Sequence, residues 1–103
     1  MIKHIVMWQT KEEARGKTKQ ENAADIKILV EGLKGQIEGL LYIEVGVNAL
    51  PDPNAFDIVL TCVFEDEAAF EHYKTHPKHV AVASVIGEVK TARTVVDYYV
   101  DKV

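Results

Sequence analysis

A-F-D-I-V-L-T-C-V-F-E, the run from Ala55 to Glu65, places apolar side chains in both registers of a two-residue repeat. Phe56, Ile58, Leu60, Cys62 and Phe64 fall on one side of an extended chain, and Val59 and Val63 on the other. A strand wetted on one face would alternate apolar with polar residues, so this run is expected inside a sheet, covered on both faces. I-K-H-I-V-M-W-Q, Ile2 to Gln9, has the same character: Ile2, His4, Val6 and Trp8 share one face, and Ile5 and Met7 the other.

Between these two runs, Lys11–Lys17 is polar, contains Gly16 and reads as a loop. Thr18-Lys-Gln-Glu21 has the spacing of a capping box, in which each side chain satisfies the other residue's free backbone N–H. Ala23, Ile26, Leu29, Val30 and Leu33 then recur at helical spacing, with Gly35 as the expected stop. A strand is expected over Leu40–Asn48. The loop at Leu50-Pro-Asp-Pro-Asn54 follows because two prolines cannot continue a ladder.

Beyond Glu65, Asp66 suits a helix N-cap ahead of Ala68–Thr75. Pro77 breaks that helix and can open a second, running to about Gly87, because its missing N–H is harmless in a first turn. A last strand is expected over Thr91–Val100. The order βαββαβ is that of an α+β, ferredoxin-like sandwich, a four-stranded antiparallel sheet with helices on one face. Its first and third strands are central, in agreement with their apolar content. No repeat, linker or low-complexity tract interrupts residues 1–103, so a single domain is expected.

Helices on one face leave the other open. The reading assigns Val6, Trp8, Ile58 and Leu60 to that open face, where each would forgo about 1.5–3 kcal/mol of burial. The resulting patch is larger than monomers usually carry. A second copy docked sheet to sheet removes it and gives a two-fold homodimer with a barrel-like interior. A monomer using the same face for another protein is the alternative.

Composition narrows the function classes. Of 103 residues, 48% are hydrophobic and 27% charged, the balance of a globular domain. A net charge of −4 argues against nucleic-acid binding, which calls for a basic face. Basic residues are scattered, and no apolar run approaches the roughly 20 residues that span a bilayer, so no membrane partner is expected. The chain opens on a strand-like M-I-K-H-I-V rather than a leader, and its single cysteine, Cys62, sits in an apolar stretch. A cytoplasmic location is expected, with Cys62 as a small buried hydrophobe.

Chemistry gathers at His4 and at Tyr73-Lys-Thr-His-Pro-Lys-His79, which straddles the helix break. A break frees backbone groups and lets side chains converge. Imidazole titrates near neutrality and a tyrosine hydroxyl can donate to a developing oxyanion, so such a set could abstract a proton beside a carbonyl. Duller roles are open as well: His4 as an interior hydrogen-bonded histidine, His76 as a cap at the junction, Tyr73 and His79 as packing. No metal site is expected, because His76 and His79 supply two ligands and a structural zinc site needs four. No cofactor is expected either.

These residues carry a resemblance. H-I-V at His4–Val6, V-G-x-N at Val45–Asn48, F-E-D at Phe64–Asp66, Y-x-x-H-P-x-H at Tyr73–His79 and V-x-D-Y at Val95–Tyr98 follow in order along nearly the whole chain. Together they resemble the stress-responsive dimeric α/β-barrel family, often called Dabb. The resemblance implies a homodimer of ferredoxin-like subunits. It includes a plant member that catalyses an aldol-type cyclisation of a polyketide. Carried over by position, it implies His79 as general base, Tyr73 as carbonyl-polarising donor, Asp97 as orienter of that imidazole and His4 as a pocket histidine. Trp8 and Gln9 stand where many relatives carry smaller apolar and basic residues, and the indole narrows the pocket.

Three functions fit. One is a homodimer that binds a small apolar molecule in a His/Tyr-lined pocket, contacted by His4, Val6, Trp8, Leu60 and His76. Another is a cofactor-independent acid–base enzyme, cyclase- or isomerase-like, acting on a carbonyl compound through His79, Tyr73 and Asp97. A third is a monooxygenase of the dimeric α/β-barrel type, acting on a quinol-like or haem substrate.

Overall fold

The computed structural model describes residues 1–103. Its elements are β1 (Ile2–Thr10), β2 (Glu13–Ala14), β3 (Lys17–Thr18), α1 (Lys19–Glu31), β4 (Leu40–Val47), β5 (Ile58–Phe64), α2 (Glu67–Thr75), α3 (Pro77–Val89) and β6 (Lys90–Tyr99). The main sheet has the order β4-β5-β1-β6 with every pair antiparallel, so the two strands apolar on both faces are its centre. The fold is ferredoxin-like.

The two-residue repeat in β1 is realised, with Ile2, His4, Val6, Trp8 and Thr10 all buried. They face the helices. Val6, Trp8, Ile58, Leu60 and Phe64 form one apolar core with Ala23, Ile26 and Val30 of α1 and with Val82, Ile86 and Val89 of α3. The expectation that Val6, Trp8, Ile58 and Leu60 lie on the helix-free face is therefore corrected. Periodicity sorts side chains onto two faces but does not say which face the helices take. Covering the larger apolar set within one chain secures its burial energy without a partner. The helix-free face instead carries Ile5, Met7, Tyr42, Val96 and Tyr98, with Met7 38% and Val96 54% exposed. Lys3, Gln9, Glu44 and Thr61 are interspersed on the same face, as the strand registers require.

Local chemistry explains the element ends. Thr18 caps α1 through a full capping box: its hydroxyl accepts from the Glu21 N–H at 3.2 Å, and the Glu21 carboxylate accepts from the Thr18 N–H at 3.0 Å. The helix ends at Gly32 rather than Gly35, because the chain tightens there into i→i+3 turns through Leu33 and Gln36. Leu33 and Ile37 thereby fold back into the core. The expected loop at 11–17 contains a small hairpin, β2 with β3, whose two turn residues Arg15 and Gly16 both have positive φ, 58° and 72°. The strand expected from Ala55 begins only at Ile58. Asp57 is drawn instead to the end of β1, where its carboxylate accepts from the Thr10 N–H at 2.7 Å and from Lys19 at 3.1 Å.

Thr18→Ala removes one half of the capping box and should cost about 0.5–2 kcal/mol in urea-induced unfolding. An unchanged unfolding midpoint would show that the cap contributes nothing to α1.

Candidate functional site

A proline determines the site's geometry. In an uninterrupted helix the Lys78 N–H would donate to the Lys74 carbonyl four residues earlier. Pro77 prevents this by pushing His76 into extended backbone, φ −64° and ψ 131°, so that α2 stops and α3 starts on either side of it. His76 Nδ1 then accepts from the Lys78 N–H at 3.1 Å. The Lys74 carbonyl, freed of its helical partner, lies 3.2 Å from His79 Nδ1. A carbonyl only accepts, so Nδ1 carries the proton and Nε2 of the neutral ring keeps its lone pair. Tyr73, in the last turn of α2, packs at a tilt against His79, with ring centroids 4.1 Å apart, and against Phe64 at 4.8 Å.

Above the sheet and beneath this break is a cavity of about 140 Å³. His4, Val6, Trp8 and Leu60 line its sheet side, and Tyr73, His79, Val82 and Ile86 its helix side. Lys90 and Arg93 of β6 also line it. A second hollow adjoins it and shares His4, Tyr73, His79 and Arg93, while Lys74 and Asp97 complete its polar wall. His76 lines neither, so its assignment as a ligand contact is corrected. Its ring nitrogen is committed to the α3 cap and its ring meets His72 edge-on.

Strand register sets the next pair. His4 and Asp97 are opposite one another in the β1–β6 ladder, and His4 Nδ1 hydrogen-bonds the Asp97 carboxylate. This corrects the expectation that Asp97 orients His79. The Lys74 carbonyl does that, and the carboxylate serves the other histidine. Burial pulls the proton affinity of His4 below the ordinary range and outweighs the opposing pull of Asp97. Burial does the same to His79, helped by the nearby charges of His4, Arg93 and His76 and opposed by the Lys74 carbonyl. Both rings are thus held neutral near pH 7. Burial pushes the Tyr73 hydroxyl far up, so it remains a donor, and pushes the neighbouring Cys62 thiol up to about 12, which makes it inert.

Lys90 and Arg93 escaped the sequence reading. A faint signal was available, because Arg93, Val95 and Asp97 share one parity of the last strand. Only the pairing of Arg93 with Trp8 across the ladder puts that parity on the cavity side.

The model of the stress responsive A/B barrel domain, Dabb, matches residues 2–100. The chain belongs to the Dabb family. An uncharacterized protein of Streptomyces coelicolor is 29% identical over 91 residues, covering 88% of this chain and 92% of that one. A dimeric protein of unknown function and ferredoxin-like fold from Bacteroides fragilis is 32% identical, with a TM-score of 0.83 over 94% of this chain and 93% of that one. A hydroxynitrile lyase from Passiflora edulis is similar in fold at 15% identity, with a TM-score of 0.77 over 99% of this chain and 94% of that one.

The two depressed imidazoles predict a pH dependence of stability for this Dabb protein. Their folded proton affinities lie below the unfolded value near 6.5, so the unfolded chain takes up protons first as pH falls. Stability should be insensitive to these groups above about pH 7.5 and should fall as pH drops from there through the unfolded value. His79→Gln should flatten part of that slope. Urea midpoints that stay level across the window, or a variant as steep as wild type, would contradict the assignment.

Proposed function

We propose that this Dabb protein is a homodimeric acid–base enzyme that moves a proton on a small carbonyl compound bound in the cavity under the helix break. The observation that carries the reading is the Lys74–His79 hydrogen bond, which fixes an imidazole with its Nε2 lone pair free beside a buried tyrosine. Nε2 takes a proton from the carbon next to the carbonyl, and the electron pair left behind moves onto the carbonyl oxygen. The Tyr73 hydroxyl donates to that oxygen as it becomes negative. Return of the proton from the imidazolium, to the same or another atom, completes the cycle. His4, held by Asp97, supplies a second polar group to the same space. The cavity's volume is comparable with apolar cavities that accept one benzene ring, which favours a compact substrate over a long one. The Passiflora hydroxynitrile lyase supports the reading insofar as this architecture can host small-molecule catalysis. Binding of a small apolar molecule without turnover is a second reading, favoured by the mostly apolar lining.

The homodimer forms through the helix-free face, where Ile5, Met7, Val96 and Tyr98 otherwise meet water. The dimeric relative from Bacteroides fragilis supports a homodimer, and the exposed apolar side chains point to this face. A cytoplasmic location is consistent with the buried free thiol of Cys62, and no helix is long and apolar enough to cross a membrane.

Two experiments test these statements. Wild-type protein should sediment as a dimer at low micromolar concentration and Met7→Glu as a folded monomer, since Met7 is not needed for the core of one subunit. In D2O, wild type should accelerate deuterium uptake at the methyl group of acetophenone about 100-fold or more over buffer. His79→Ala should abolish that acceleration with little change in melting temperature. A variant that melts earlier yet exchanges as fast as wild type would make His79 structural and sink the enzyme reading.

A further inference from the structure

The end of the cavity formed by β6 is basic, in a chain whose net charge is −4. Lys90 and Arg93 both line the cavity, and neither is ion-paired. Of the acids closest to them, Asp97 is hydrogen-bonded to His4 in the adjoining hollow and Glu88 lies 3.5 Å from Arg15. The rest of the lining is largely apolar, apart from His4, Tyr73 and His79. Arg93 lines both hollows together with His4 and His79, so it faces the space they share. Such a lining asks for a ligand with an apolar body and one anionic group at the β6 end. A guanidinium presents a planar fork that matches a carboxylate with two parallel hydrogen bonds, and an ammonium adds a point charge.

We infer that the cavity takes small carboxylic acids, with the carboxylate held by Arg93 and Lys90 and the apolar body lying against Val6, Trp8 and Leu60. This rests on the proposed enzyme reading only for the step from ligand to substrate. There it names the substrate class: an oxo acid anchored by its carboxylate, with its carbonyl presented to Tyr73 and His79. The anchor would also fix which carbon faces His79 Nε2.

Benzoate and benzamide have nearly the same shape and differ in charge, which makes them suitable probes for calorimetric titration of the intact protein. Benzoate should bind about tenfold or more tightly than benzamide at low salt. That ratio should shrink as salt is raised, because the cations are exposed and screened. Arg93→Gln should bring the ratio close to one. Arg93→Glu should reverse it, and both variants should melt like wild type because residue 93 is exposed. Equal binding of the two probes by wild type would overturn the inference. So would retention of the ratio in Arg93→Gln, or the absence of saturable benzoate binding up to about 20 mM. Acetophenone has no carboxylate, so the exchange experiment is independent of this one. Protein that exchanges acetophenone without preferring benzoate loses the carboxylate site alone. Protein that prefers benzoate but fails to exchange acetophenone keeps the site and loses the enzyme reading.

Discussion

Pro77 has no amide hydrogen and forces the residue before it out of helical backbone, and the candidate site is built on that constraint. Were residues 67–89 one helix, the Lys74 carbonyl would be bonded within it and His79 would have no fixed tautomer. The break instead leaves that carbonyl free to hold Nδ1, and His76 takes over the donor at Lys78. One interruption thus supplies both the orientation of the imidazole and the cap of the next helix. The cavity opens beneath the break, lined by Tyr73 of α2, His79, Val82 and Ile86 of α3, and His4, Val6, Trp8 and Leu60 of the sheet.

The chemistry of that cavity follows from burial acting against local charge. Two imidazoles facing one small space would repel if both were protonated, and desolvation already disfavours either ion. Asp97 offsets part of that at His4, which is why a buried histidine is tolerated on the face of a central strand. Tyr73 is held as a donor by the same desolvation. The cations on β6 lie on an edge strand open to water, and their charge reaches the cavity from its rim.

The sheet is covered unequally. Its helix face is filled by the larger apolar side chains and forms a closed core in one chain, while the opposite face mixes Ile5, Met7, Val96 and Tyr98 with Lys3, Gln9 and Thr61. A surface of that mixed kind can pack against a copy of itself without ruining the single chain's core. Catalytic space and dimer surface consequently lie on opposite sides of the same strands. Residues of β1 alternate between them, His4, Val6 and Trp8 inward and Ile5 and Met7 outward.

What the amino-acid sequence determined by itself was local. The Thr18–Glu21 box, the Asp66 cap, the proline break and the alternation of β1 and β5 depend on residues a few positions apart, so their spacing is enough to read them. The motif from Tyr73 to His79 was legible for the same reason, together with the family it signals. Three things depended on contacts between distant parts of the chain. Which face of the sheet the helices cover is decided by total burial across four strands and three helices, and the periodicity of one strand is identical in either case. Asp97 meets His4 because residues 93 separations apart are opposite in the β1–β6 ladder, a register that no local pattern encodes. Arg93 reaches the cavity for the same reason, placed by its pairing with Trp8, whereas from sequence it is one cation among 12.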